Sequence, residues 1–129
     1  MRITLTSIFV DDQEKALRFY TEVLGFQKKN DIPMGAYRWI SVVSPEGPGD
    51  IELVLEPNVN PAACAFQKAL FEQNIPMNSF ESKDLAGECA RLKERGVVFV
   101  REPMNAGPVM IATFSDTCGN LLQLHQPLG

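Results

Sequence analysis

Apolar positions recur along this chain at two spacings, and both spacings appear twice. Ala16, Leu17, Phe19, Tyr20, Val23 and Leu24 fall at i, i+3, i+4 and i+7, one face of a helix, with Glu14 and Glu22 between them. Asp11 or Asp12 can accept backbone N–H bonds at the start of that helix. Gly25 tolerates the left-handed conformation at its end, and Phe26 can fold back over the last turn. The same syntax returns about seventy residues later. There Asp84 is the cap, Leu85, Cys89 and Leu92 the buried stripe, and Gly96 the stop. Loose period-two alternation predicts strands around these helices. In the first copy they cover residues 2–10, 27–30, 37–43 and 51–56, and in the second 76–83, 97–101, 109–115 and 121–126. The breaker-rich stretches 31–35, 44–50 and 102–108 read as loops, and 116–120 as a tight turn. Asn60 and Pro61 begin a helix over 61–73 that joins the copies.

The order is therefore βαβββ, a bridging helix, and βαβββ again, an α+β class. The 129 residues are expected to form one domain, with module 1 at about 1–56, the bridging helix at about 61–73 and module 2 at about 76–127. The net charge is −4 with both signs interspersed, so no basic stripe exists for phosphate contacts and nucleic acid is not an expected partner. No apolar run is long enough to span a bilayer, and no signal-peptide core precedes the first strand, so a cytoplasmic protein is expected. Cys64, Cys89 and Cys118 are odd in number and lack a CxxC pair, which fits free thiols in a reducing compartment.

Two motifs carry a resemblance. The run Asp12-x-x-x-Ala16-x-x-Phe19-Tyr20-x-x-x-Leu24-Gly25-Phe26, together with Asp116-x-x-Gly119-Asn120-x-x-x-Leu124, resembles the vicinal-oxygen-chelate superfamily. That group includes glyoxalase I, extradiol dioxygenases and bleomycin-resistance proteins. The resemblance implies two βαβββ half-barrels flanking a cavity, which in the enzymes holds a divalent metal. It places the four metal-ligand positions at Leu5, Glu52, Met77 and Gln123. Only Glu52 keeps the usual ligand type: leucine has no donor, the methionine thioether is soft, and glutamine is a weak neutral ligand. A tightly held catalytic metal takes about three protein ligands. No cofactor is therefore expected.

What remains is an apolar cavity with a few polar groups, the usual composition of a small-molecule site. Its expected lining is Leu5, Phe9, Trp39, Glu52, Met77, Phe114, Gln123 and His125, with Arg38 at the mouth as a contact for an anionic ligand. Glu52 reads either as a ligand acceptor or general base, its pKa raised by desolvation, or as a solvated strand-face carboxylate. Met77 reads as a gap-filler as well as a contact, and Gln123 as a structural amide as well as a ligand contact. His125, the lone histidine, reads as a rim residue or a catalytic one. Cys118 has no neighbouring base in sequence to make it a nucleophile.

The leading expectation is a metal-independent protein that binds a small organic molecule, acting as a homodimer. A glyoxalase-like lyase or dioxygenase recruiting His125 with Glu52 and Gln123, and a drug-sequestering protein trapping a bulky cationic compound, are the alternatives.

Overall fold

The computed structural model describes residues 1–129 and divides into two compact units, Met1–Ala65 and Phe66–Gly129. The first contains β1 (Leu5–Val10), α1 (Gln13–Arg18), β2 (Gln27–Met34), β3 (Tyr37–Val43) and β4 (Glu52–Pro57). Helix α2 (Pro61–Glu72) runs across the division. The second unit continues with β5 (Asn78–Glu81), α3 (Leu85–Glu94), β6 (Phe99–Ala106), β7 (Val109–Ser115) and β8 (Leu121–Pro127). Each unit holds one four-stranded sheet, ordered β1-β4-β3-β2 and β5-β8-β7-β6. The β1/β4 and β5/β8 pairs are parallel and the other pairs antiparallel. The repeated βαβββ order read from the sequence is thus the observed one.

In the first unit α1 packs on β3 and β4, burying Ala16, Leu17 and Tyr20 with Ile8, Val10, Ile40, Val42 and Leu55. Large apolar side chains buried in this way contribute about 1.5–3 kcal/mol each. Asp12 caps α1 by accepting from Lys15 N at 3.0 Å. The last turn widens over Phe19–Val23: Leu24 N donates to Phe19 O, and the Thr21 hydroxyl donates to Leu17 O at 2.6 Å. Gly25, at φ 86°, ends the helix, and the Phe26 ring stacks 6.5 Å from that of Tyr20. In the second unit α3 lies on β6, β7 and β8, with Leu85, Cys89 and Leu92 buried against Ala112, Phe114, Leu122 and Leu124.

Two loops expected from their prolines are strand instead. β2 runs through Pro33 to Met34, and β6 through Pro103 to Ala106. Both are outer strands of their sheets, where only one side of the strand carries ladder bonds and proline is tolerated. β5 is shorter than expected, four residues.

One glutamine in each unit ties elements together in a place no local pattern marks. β3 and β4 pair directly only at Ser41↔Val54 and Val42↔Leu53. Beyond that point the Gln13 amide spans the strands: its Nε2 donates to Arg38 O (2.7 Å) and Leu55 O (2.9 Å), and its Oε1 accepts from Arg38 N (3.1 Å). In the second unit the buried carboxylate of Asp116 accepts from Cys118 N (2.7 Å) and Asn120 N (3.0 Å) through Oδ1, and from Asn120 Nδ2 (2.7 Å) through Oδ2. Gln67, buried on α2, donates to Cys118 O and Asn120 Oδ1 and so fixes the helix to this turn. Gly119 sits at φ 100°, and a Cβ there would lie 2.9 Å from Gln67 Nε2. Both constraints require glycine.

Candidate functional site

Alternation along the strands leaves each sheet with one face under its helix and one open face. On the first unit's open face, Leu5 is the register partner of Glu52 and Phe9 that of Glu56. Trp39 lies two residues before Ser41, which pairs with Val54. Leu5 is exposed, whereas Phe9, Trp39 and Glu52 are half-buried.

Glu52 is not the poised base that desolvation would produce. Its Oε1 accepts from the Ser41 hydroxyl at 2.6 Å and from Asn30 Nδ2 at 2.9 Å, and Lys29 Nζ stands 3.7 Å from Oε2. The Ser41 bond, then the Asn30 bond and the Lys29 charge, hold its carboxyl below the ordinary range, outweighing the burial that opposes them. It is a stable carboxylate with one oxygen already engaged twice.

Arg38 also differs from expectation. It points to the α1 side of β3, where Nε and Nη2 grip Asp31 at 3.0 and 2.7 Å and Nη1 reaches Glu14 at 2.8 Å. The Asp31 and Glu14 bonds push its already high pKa further up, and Asp31 is lowered in turn. A guanidinium committed to two carboxylates is not an anion receptor. Phe114 is likewise not on the open face. It is fully buried on the α3 side, with its ring 5.5 Å from that of Phe99, because its register partner is Leu122 and not Gln123.

On the second unit's open face the register pairs Ser79 with Gln123 and Glu81 with His125. Ser79 therefore holds the place that Leu5 holds opposite Glu52. Met77, which the motif alignment put there, lies ahead of β5 with its N–H donating to Leu121 O. Gln123 and His125 do meet, through Ser79: Gln123 Nε2 donates to Ser79 Oγ at 3.0 Å, and Ser79 Oγ lies 2.6 Å from His125 Nδ1. Ser79, Asn30 and Ser41 were not singled out in the sequence. Their only signal is a polar residue at the open-face phase of a strand.

The donor set does not fit the divalent ion that the resemblance implies. Leu5 has no donor, Glu52 is engaged within its own unit, and no three His, Cys, Asp or Glu side chains gather into a possible metal set. No helix is long and apolar enough to cross a membrane.

Comparison with known proteins agrees with this architecture. The chain is 54% identical over 126 residues to YurT of Bacillus subtilis (strain 168), covering 98% of this chain and 99% of that one. Among solved structures it resembles UcmS2, with a TM-score of 0.83, 31% identity and 97% of each chain covered. It also resembles TnmS3, described as an antibiotic binding protein from Streptomyces sp. CB03234, with a TM-score of 0.76, 32% identity and 98% and 96% of the two chains covered. The family model of the glyoxalase/bleomycin resistance protein/dioxygenase superfamily matches residues 2–124, and the chain belongs to that superfamily.

Proposed function

We propose that this protein is a metal-independent binder of a small organic molecule. The observation that carries the reading is the state of Glu52: the one carboxylate at a family ligand position is closed by Ser41 and Asn30 and faces a leucine. Around it the open face offers the half-buried Trp39 and Phe9, apolar surface beside isolated polar groups. A lyase or dioxygenase needs a ligand set that these residues do not supply. Sequestration of a drug-like compound is favoured as the biological role by the likeness to TnmS3, an antibiotic-binding protein. The reading includes a cytoplasmic homodimer: the cysteines are free, and Phe66 and Phe71 stand exposed on α2 as apolar surface that a second copy would cover.

Trp39 is the only tryptophan and lies on the proposed face, so its fluorescence reports binding directly. Titration with a panel of polycyclic aromatic antibiotics should quench it with a Kd of about micromolar or tighter, unchanged by EDTA. Stoichiometric metal in the purified protein, or no quenching by any compound, would refute the reading.

A further inference from the structure

We infer that Arg101, on the open face of the second unit, anchors an oxyanion group of the ligand, a carboxylate or a phosphate. A β-bulge puts it there. Phe99 pairs with the buried Phe114 and lies under Lys93 of α3, so strict alternation would turn Arg101, two residues on, to that same helix side. The register instead shifts between Phe99 and Arg101, and Arg101 pairs with Thr113, which faces away from α3. A second shift follows before Met104, whose partner Ile111 shares the Thr113 side. Arg101 Nη1 rests on Met104 Sδ at 3.0 Å, which confirms that the guanidinium lies on the open face.

The charge there is unmatched. Arg2, Arg18, Arg38 and Arg91 each stand against a carboxylate, in a chain of net charge −4. Arg101 stands against none, and its side-chain hydrogen bond goes to a thioether, a weak acceptor. It heads a row that crosses all four strands in register, Arg101, Thr113, Gln123 and Ser79, and that row holds no carboxylate. Glu81, the acid that register places on this face, is on β5 at the opposite rim, three strand spacings or about 14 Å away. A forked, permanently charged guanidinium with donors to spare matches the paired oxygens of a carboxylate or phosphate, and it repels a cation. The anion contact expected at Arg38, which is committed to Asp31 and Glu14, thus has its free counterpart in the second unit. This rests on the small-molecule-binding reading above, and it names a group that the ligand carries.

The test compares 2-naphthoate and 2-naphthyl phosphate with the neutral 2-naphthamide by NMR titration of the full-length protein at low salt. At least one anion should bind about tenfold tighter than the amide, the value of a hydrogen bond to a charged group, and shift the Arg101 Nε–H resonance. Which anion does so distinguishes a carboxylate ligand from a phosphate. The advantage should shrink at about 0.5 M salt and disappear in Arg101→Gln. It should survive in Arg91→Gln, which removes the same charge from α3 on the other side of the sheet. Equal loss in the two variants would show net charge alone at work and overturn the inference. Equal binding of amide and anions by the parent would overturn it while leaving the small-molecule reading intact. Binding of none of the three would overturn it as well, and the small-molecule reading would then be decided by the Trp39 titration.

Discussion

Asp116 is the residue whose removal the structure prices most clearly. Its carboxylate is fully buried and receives hydrogens from the backbone N–H of Cys118, the backbone N–H of Asn120 and a side-chain N–H of Asn120, among others. No buried side-chain nitrogen or oxygen in the protein lacks a partner, so the turn is fully satisfied as it stands. Asp116→Ala takes the acceptor from these donors. Each buried unsatisfied group costs about 1–3 kcal/mol, and some water entry limits the total to about 3–5 kcal/mol. Against a typical domain stability of about 5–15 kcal/mol, that is a large fraction. Asp116→Asn keeps an oxygen for the two backbone groups but sets one NH₂ against another at Asn120, so an intermediate loss is expected. Urea unfolding followed by far-UV circular dichroism measures both, with the exposed Thr117→Ala as a control expected within about 0.5 kcal/mol of the parent. A loss below about 1 kcal/mol for Asp116→Ala would show that the bonds at this turn contribute little, and the reasoning would be refuted.

Gln13→Ala should cost about 1–2 kcal/mol, because it strips the acceptor from Arg38 N–H and the donor from two strand carbonyls. Amide exchange at Arg38 should accelerate at least about tenfold, and unchanged protection would count against the bridging role. Glu52→Gln should change the acid limb of stability. The Glu52 pKa is lowered on folding, chiefly by Ser41, so its contribution is complete above the unfolded value of about 4.3 and is lost as pH falls through the folded value. The parent should therefore lose more Tm than the variant between about pH 6 and pH 3, and parallel profiles would contradict the assignment.

What could be read from the chain was what periodicity encodes. The helical stripes at Leu17/Tyr20 and at Leu85/Cys89/Leu92, each with its glycine stop, are local patterns in which spacing alone identifies a face, and the repeated order is that pattern written twice. β2 and β6 extend past the expected boundaries because a proline inside a strand pattern signals a break unless the strand is an edge, and edge status is a property of the assembled sheet. The site was less legible for a related reason. Whether Glu52 is a free or an engaged carboxylate depends on Ser41 and Asn30, eleven and twenty-two residues away, brought to it by register. Trp39 and Arg38 are adjacent in sequence and sit on opposite faces, so an aromatic-basic cluster in the chain is not one in space. Ser79 takes the place assigned to Met77 because strand pairing, and not distance from the helix cap, decides which residue faces Gln123.

Pro33 and Pro103 have a meaning beyond the strand boundaries they obscured. Each lies in the outermost strand of its sheet, the place where a row of unpaired backbone groups could recruit a strand from another molecule. A residue with no N–H interrupts that row, so a foreign strand laid along the β2 or the β6 rim meets a gap in its ladder. The repeat has thus copied a safeguard against fibrous self-assembly along with the fold. It protects one rim of each sheet while newly synthesised chains are still crowded and incompletely packed.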